Sequence, residues 1–217
     1  MHPVLRLYED VLANDVDVRL PALPRMIFVV HGSLVLAGKA LGDGEAWSGE
    51  AAVTLKAGSG GATAWRWELV SAAAGSGPTV GPGVASREKL SAELATMPKG
   101  PLLLRGDSVA FPPGGCAYLH RHQGPGIRCL LDGAIRIDTR GHSHSYGPGS
   151  AWYETGPDGV FAQAADRPTR FIRVMILPLP YLGKSSVEYL NEEDKAKPKS
   201  QSYKIFADLP LTAFMGA

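Results

Sequence analysis

Short runs of Val, Ile, Leu, Trp and Phe, each closed by a glycine or a proline, recur along the whole chain. In several runs apolar and charged residues alternate, as in residues 135–138, Ile-Arg-Ile-Asp. A period of two places the isoleucines on one face of a strand and the charges on the other. The pattern therefore predicts many short antiparallel strands, each packed on one side, as in a sandwich or a barrel.

Two segments carry helical signals instead. Residues 86–97 begin with a serine that can cap a helix, continue with apolar residues at helical spacing and stop before a proline. Residues 185–197 begin with the capping-box pattern Ser-x-x-Glu and continue into a charged run. We expect one short helix in each segment, and we expect the charged run to be a solvated helix face.

The strand-glycine-strand pattern around Gly32 recurs around Gly133, roughly one hundred residues later. In both stretches a turn follows, and then a late strand that contains an arginine, Arg66 in the first and Arg173 in the second. The shared order, over the length of a small domain, predicts an internal duplication. Chance similarity between strands that end at glycines is the alternative.

Residues 71–85 are rich in Ala, Gly, Ser and Pro, a composition typical of a flexible linker. The sequence therefore predicts one domain over residues 1–85 and a second over residues 86–217. The second would include a helical extension at its C-terminal end.

Composition and charge narrow the function further. The formal net charge is +1, with 22 basic and 21 acidic residues, which gives no electrostatic reason to expect nucleic acid or an anionic membrane as a partner. The two cysteines form no CxxC pair, so a thiolate zinc site or a redox motif is not expected. The most apolar stretch, residues 171–182, is too short and too broken by prolines to span a bilayer. With no secretory signal visible, we expect a cytoplasmic protein.

Residues 118–133 contain the pair His120-x-His122 and a closing glycine, Gly133. Further along, residues 147–154 form a Gly-Pro-Gly turn that leads into a strand with Trp and Glu. This combination resembles the cupin superfamily, whose first motif contains HxH and a spaced glycine and whose second begins at a Pro-x-Gly-like turn. The resemblance covers about residues 101–180, and the internal repeat extends it weakly to residues 25–70.

The resemblance implies an all-β protein of two cupin-type double-stranded β-helix barrels of the jelly-roll kind, with one or two short helices. The first barrel would be degenerate. Cupins commonly form dimers, so a homodimer is the expected assembly, and a small molecule is the expected ligand.

The sequence departs from the cupin pattern at two of the four usual metal ligands. Gly126 stands where the family has a glutamate, and Val160 or Phe161 stands where the second-motif histidine would be. The first half contains no HxH at all, because His31 lies just before its glycine, where the family places no ligand.

His120 and His122 alternate on a predicted strand, so both imidazoles point to one face. Two neutral imidazoles suit a divalent ion of iron, zinc, nickel or manganese. Glu154 is the first candidate for a third ligand, which would complete a set of two histidines and one carboxylate. A polar pocket that contains two histidines and no metal is the alternative.

Arg128 and Arg173 lie on strands that can face the barrel cavity, where an arginine would bind a substrate carboxylate through two hydrogen bonds. Tyr118 is a further candidate for contact with the substrate. Outward-facing, solvated arginines are the alternative, since one sequence cannot assign the faces of a strand.

A second HxH pair, His142 and His144, is flanked by Gly and Ser and is expected at an exposed hairpin tip. Two functions of different classes follow. The first is a metal-dependent enzyme of dioxygenase, isomerase or lyase type that acts on a small polar or carboxylated compound. The second is a non-catalytic small-molecule-binding or sensing cupin with a degenerate metal site, which the missing ligands favour. A structural or storage role ranks last.

Overall fold

In the computed structural model, the described part of the chain comprises residues 2–71 and 77–212. The chain folds into two compact units, Met1–Glu93 and Leu94–Ala217. Both units are built almost entirely of antiparallel strands, which confirms the all-β fold class expected from the alternation of apolar and polar residues. The helical elements include a 3-10 turn at Leu179–Tyr181 and one short helix, α1, at Glu192–Ala196.

The strands of the first unit pair into a single sheet with the central order β4-β3-β6-β1-β7. The first half of β6 pairs with β2 and its second half pairs with β1, so this one long strand serves both layers of the barrel. The strands are β1 (Val4–Leu12), β2 (Asp17–Leu20), β3 (Arg25–Leu36), β4 (Lys39–Leu41), β5 (Ala46–Gly49), β6 (Val53–Val70) and β7 (Val84–Glu93).

The second unit has two five-stranded sheets, with the orders β13-β10-β15-β8-β17 and β12-β11-β14-β9-β16. The strands are β8 (Leu102–Phe111), β9 (Cys116–His122), β10 (Gly126–Asp132), β11 (Ile135–Thr139), β12 (His142–Tyr146), β13 (Ala151–Glu154), β14 (Val160–Ala164), β15 (Thr169–Pro178), β16 (Val187–Tyr189) and β17 (Ser202–Pro210).

The two units repeat one topology. In each, the strand that carries the arginine, β6 or β15, lies between the opening strand, β1 or β8, and the strand that leads to the central glycine, β3 or β10. Backbone bonds agree in detail: Val29 exchanges two hydrogen bonds of 2.9 Å with residues 44–45, and Leu130 exchanges two of 2.9 and 2.8 Å with residues 149–150. The repeated order seen in the sequence is thus a repeat of structure.

The central glycines are required at their positions. Gly32 and Gly133 both have a φ of +85°, which disfavours any residue with a Cβ. A Cβ on Gly32 would lie 2.2 Å from the carbonyl oxygen of Gly61, and one on Gly133 would lie 2.3 Å from Oγ1 of Thr169. The strands on either side of each glycine can approach their neighbours only because no side chain intervenes.

Each unit contains an apolar core inside its barrel. In the second unit the core includes Val109, Phe111, Trp152 and Phe171, all at most 6% exposed. The inward faces of the same strands carry a group of buried polar side chains beside this core, and these form the candidate site.

The prediction of a helix over residues 86–97 is wrong. Most of that segment belongs to strand β7, which pairs with β1 from Val4↔Glu93 to Leu12↔Val84. Pairing with an available sheet edge satisfies the backbone along the whole segment, and this tertiary gain outweighs the local helical spacing. In the segment 185–197 the structure has strand β16 and then α1, a helix of five residues. Of the expected linker, residues 72–76 lie outside the described residues.

Candidate functional site

Strand β9 directs two histidines into the second barrel. The pairing of β9 with β14 shifts register between Val160↔His120 and Ala162↔Ala117, which marks a bulge in the strand. Because the bulge adds one residue, the alternation of faces changes there. His120 and His122 therefore face inward together with Ala117, and all three are buried.

Tyr118 does not line the cavity, although it shares the parity of the two histidines. Its ring lies 5.0 Å from Nζ of Lys197 and 5.3 Å from Nζ of Lys199, on the partly exposed side of the strand. The bulge accounts for this placement. The tyrosine contributes to the site only through its backbone carbonyl.

The two imidazoles meet at their Nε2 atoms, which are 3.3 Å apart. Nδ1 of His120 lies 2.7 Å from the carbonyl oxygen of Tyr118. A carbonyl can only accept, so this Nδ1 carries the proton and Nε2 of neutral His120 presents a lone pair. Nδ1 of His122 is buried and has no hydrogen-bond partner among the described residues.

Glu154 completes this group from β13. Its Oε1 accepts a hydrogen bond of 2.8 Å from Nε1 of Trp152. Its Oε2 lies 2.7 Å from Nη2 of Arg128 and 3.6 Å from Nε2 of His122. Neither Oε2 of Glu154 nor Nη2 of Arg128 makes a hydrogen bond of regular geometry within the described chain. The two opposite charges therefore lie close together without a well-directed hydrogen bond between them.

Arg128 and Arg173 are cross-strand neighbours on β10 and β15, and both side chains point inward and are buried. Arg173 binds Asp107 of β8 through two hydrogen bonds of 2.7 and 3.0 Å. Arg128 donates from Nη1 to the carbonyl oxygen of Gly126 at 2.7 Å. The outward, solvated alternative for these arginines is therefore not what the structure has.

Burial and charge keep both histidines neutral. Burial lowers the pKa of His122 well below 6.5, and the cations Arg173 and Arg128 and the ring of His120 lower it further. Burial also lowers the pKa of His120, although the carboxylate of Glu154 opposes the shift. Burial lowers the pKa of Arg128 to about 10, against the opposing attraction of Glu154. The charges of the site are thus two guanidiniums and two carboxylates.

These side chains line a small cavity, in which the centre of a water-sized sphere can move through about 20 Å³. Its polar wall consists of His120, His122, Arg128, Glu154 and Arg173. Tyr203 and apolar side chains of the barrel core form the rest of the wall. A volume of this size admits one or two waters or a group as small as a carboxylate.

A resident metal fits this arrangement poorly. Among residues 2–71 and 77–212, no group of three or more His, Cys, Asp or Glu has the spacing of a metal site. Two histidines are correctly placed, but the carboxylate that would complete the set already faces the Arg128 guanidinium at 2.7 Å. A divalent cation added there would have to displace the Arg128 guanidinium from that carboxylate and would lie close to two buried cations.

The first unit has a closed ion-pair network in the equivalent region of its barrel. Arg66 binds Asp10 at 2.7 Å and Glu68 at 2.8 Å, and Arg25 binds Glu68 at 3.0 Å. All four side chains are at most 1% exposed. His31 lies outside the network, in the middle of the strand that begins at Arg25. Two guanidiniums and two carboxylates thus balance one another's charge in this barrel.

Sequence reasoning missed Asp107 and Tyr203. Asp107 is the charge partner of Arg173, and a lone carboxylate inside the apolar run of β8 was the signal available for it, since such residues are rarely buried unpaired. Tyr203 reaches the cavity from β17, a strand formed near the C-terminal end that pairs with β8. No local motif distinguishes it.

The chain has the cupin fold. It superposes on oxalate decarboxylase from Bacillus subtilis with a TM-score of 0.60 at 12% identity, over 89% of this chain and 73% of that one. AerE from Microcystis aeruginosa gives 0.58 at 14%, over 82% and 88%. A further structure of the decarboxylase, whose description names Mn(II) centres, gives 0.63 at 12%, over 89% and 73%. At these identities the similarity is one of fold.

No family model matches the chain, and no curated protein matches it in sequence. Within the described residues, none of the helices combines the length and the apolar composition needed to cross a membrane.

Proposed function

We propose that the second barrel binds the carboxylate group of a small molecule. One observation supports this most directly: two buried guanidiniums, Arg128 and Arg173, flank a cavity, and the 2.7 Å contact of Nη2 of Arg128 with Oε2 of Glu154 lacks regular hydrogen-bond geometry. A buried donor whose hydrogen bond is poorly formed costs stability, up to about 1–3 kcal/mol when the bond is lost entirely. A carboxylate oxygen in the cavity would satisfy that donor.

The hydrogen-bond donors of the two arginines favour an anion over a cation, while the charges of the site are balanced by Glu154 and Asp107. The lowered pKa of Arg128 indicates a guanidinium that its neighbours stabilise incompletely, with burial as the main cause. Neutral histidines add hydrogen-bond donors and acceptors without adding charge. The proposal is therefore a small-molecule-binding cupin, the second of the two classes that the sequence left open. Similarity in fold to a decarboxylase of oxalate agrees with a carboxylated ligand.

Binding of a divalent metal by His120 and His122 is the second candidate function, and the distance between their Nε2 atoms favours it. Two nitrogens bound to one tetrahedral ion at 2.0–2.1 Å lie about 3.4 Å apart, and the two Nε2 atoms are 3.3 Å apart. In that case Glu154 would have to exchange its contact with Arg128 for the metal. The fold neighbour described with Mn(II) centres makes manganese the first ion to test.

Calorimetric titration of the purified protein with formate, acetate and oxalate tests the first proposal. Binding by the native chain and a loss of about tenfold or more in Arg128→Gln are expected, since one charge-assisted hydrogen bond is removed. Arg170→Gln is the matched control, because Arg170 pairs with Asp132 at the surface and should leave the affinity unchanged. No heat of binding for any of the three anions would overturn the proposal.

Metal analysis separates the two candidates. The protein is purified without chelator, its content of Mn, Fe, Ni and Zn is measured, and thermal unfolding is followed with each ion added. One ion per chain that disappears in the double variant His120→Ala/His122→Ala would establish the second candidate. If the protein retains no metal and no added ion raises its Tm, the second candidate is eliminated.

A further inference from the structure

A second cavity lies in the same unit, beside the one that contains the histidines. Its volume is about 190 Å³, against about 20 Å³ for the inner cavity, and Arg173 and Tyr203 belong to the walls of both. We call it the outer pocket. Its wall also includes Lys184, Val187 and Ile205.

The strands place the outer pocket directly against the site. Val187 of β16 lies opposite His122 of β9, and Ile205 of β17 lies opposite Asp107 of β8. Arg173 binds Asp107 and also lies 3.5 Å from Nε2 of His122 through its Nη1. A molecule in the outer pocket would therefore reach the guanidinium that forms one side of the inner cavity.

The rim of the outer pocket is a fixed structure. Arg105 binds both carboxylate oxygens of Asp208, at 3.0 and 2.7 Å, and donates to the carbonyl oxygens of Tyr181 and Lys184. The backbone NH of Gly183 donates to the same aspartate at 2.8 Å. Because all three nitrogens of this buried guanidinium are bound, Arg105 holds the rim and is not available to a ligand.

The wall of the outer pocket combines apolar surface with positive charge. Ile205 is 51% exposed and Tyr203 is 47% exposed, although both side chains border a cavity. Arg105 and Arg173 are balanced by Asp208 and Asp107, which leaves the exposed ammonium group of Lys184 as an excess positive charge at the rim. Apolar area with a cationic end is suited to an amphipathic anion.

We propose that the outer pocket binds the apolar body of a monocarboxylic acid whose carboxylate group is directed towards Arg173 and the inner cavity. This inference rests on the proposed carboxylate site and adds the class of ligand: an acid with a short aliphatic chain, longer than acetate. The inner cavity has room for the carboxylate alone, so the rest of such a molecule must lie where the larger volume is. Tyr203, between the two cavities, sets the passage from one to the other.

Calorimetric titration with acetate, butanoate and hexanoate tests whether the outer pocket binds the aliphatic chain of the acid. Affinity should rise about threefold to fourfold for each methylene that the pocket buries. Ile205→Gln, which places a neutral polar group in the pocket wall, should flatten the rise in affinity from acetate to hexanoate. Val35→Gln, at an exposed apolar strand position of the first unit, is the matched control and should preserve the chain-length dependence.

The outcomes separate this inference from the proposed function. Equal affinities for acetate and hexanoate would overturn the outer pocket and leave the carboxylate site standing. A chain-length dependence that survives Ile205→Gln would also overturn it, because the apolar body would then lie elsewhere. If no acid binds, both the outer-pocket inference and the proposed carboxylate site are refuted. Thermal unfolding of each variant shows that the comparison is made between folded proteins.

Discussion

Arg66 of the first unit and Arg173 of the second occupy the same position in their sheets, and each guanidinium binds a buried aspartate of the opening strand. Asp107 lies directly opposite Arg173, whereas Asp10 lies two residues beyond Tyr8, the residue opposite Arg66. In the first barrel a second carboxylate, Glu68, completes the network. In the second barrel the corresponding space contains histidines and a cavity. The repeated scaffold thus contains a complete ion-pair network in the first barrel and a cavity in the second.

The ion pair of Arg173 should contribute strongly to the stability of the second unit. Asp107→Asn removes the charge that compensates a buried guanidinium, and breaking a buried pair in this way typically costs about 3–5 kcal/mol. Chemical denaturation measures the free energy of unfolding. Asp132→Asn, which breaks the exposed pair with Arg170, should leave it unchanged. Similar small effects in both variants would contradict the prediction.

Much of this architecture is readable from the sequence because it depends on local rules. The alternation of residues 135–138 and the glycine turns at Gly32 and Gly133 are set by side-chain direction and allowed backbone angles, and both are visible in one chain. The helix expected at residues 86–97 failed for the opposite reason. Its strand conformation comes from pairing with β1, which lies about eighty residues earlier and leaves no local signature.

The candidate site likewise combines residues that a local motif reveals with residues that only long-range strand pairing brings in. The histidine pair and the glycine that follows it form a local motif, and five of the six predicted site residues line one cavity. Tyr118 was placed on the same face as His120 by parity, and only the bulge in β9 sets it apart. Asp107 and Tyr203 join the site through long-range strand pairing, which a single sequence does not encode in any motif.

Gly133 offers a test of the close approach at the centre of the repeat. Gly133→Ala must adopt a φ of +85° and also place a methyl group 2.3 Å from Oγ1 of Thr169 and 2.5 Å from the carbonyl oxygen of Pro168. Gly141→Ala has a similar φ of +77° with no atom within 4 Å. The control should cost about 1–2 kcal/mol from backbone strain alone. Gly133→Ala should cost clearly more, and equal losses in the two variants would disprove the steric argument.

The stability of the second unit should fall as the pH is lowered below 6.5. The folded-state pKa of His122 is well below that value, chiefly through burial and then through Arg173, His120 and Arg128. Between the folded-state and unfolded-state pKa values the unfolded chain binds the proton and the folded chain does not. The free energy of unfolding therefore decreases with falling pH, by about 1.4 kcal/mol per pH unit for each such histidine.

Denaturation at a series of pH values, on protein treated with a chelator, measures this slope. His122→Asn should reduce it, and His120, whose pKa is also lowered, contributes the part that remains. His142→Gln is the control, since that residue is exposed and lies outside the cavity. An identical slope in His122→Asn and in the native chain would refute the assignment of the effect to this site.

The contact between Arg128 and Glu154 should decide whether the second barrel prefers an anion or a cation. In Arg128→Leu the carboxylate of Glu154 loses its counterion, so the variant should be less stable than the native chain by about 3–5 kcal/mol when no metal is present. The same change removes a positive charge from beside two converging imidazoles. What is left is two histidines and one carboxylate, a set that binds divalent transition metals.

Added Mn²⁺ or Zn²⁺ should consequently raise the Tm of Arg128→Leu and have little effect on the native protein. The double variant Arg128→Leu/Glu154→Gln provides the control. It retains both histidines and also lacks the guanidinium, but it has no carboxylate to bind the ion. If the metal stabilises the native chain as much as Arg128→Leu, the guanidinium does not exclude cations, and the carboxylate preference argued from Arg128 has to be abandoned. If Arg128→Leu gains nothing from either ion, the histidine pair is a hydrogen-bonding element of the pocket wall, and the separation of 3.3 Å between its Nε2 atoms reflects their mutual contact alone.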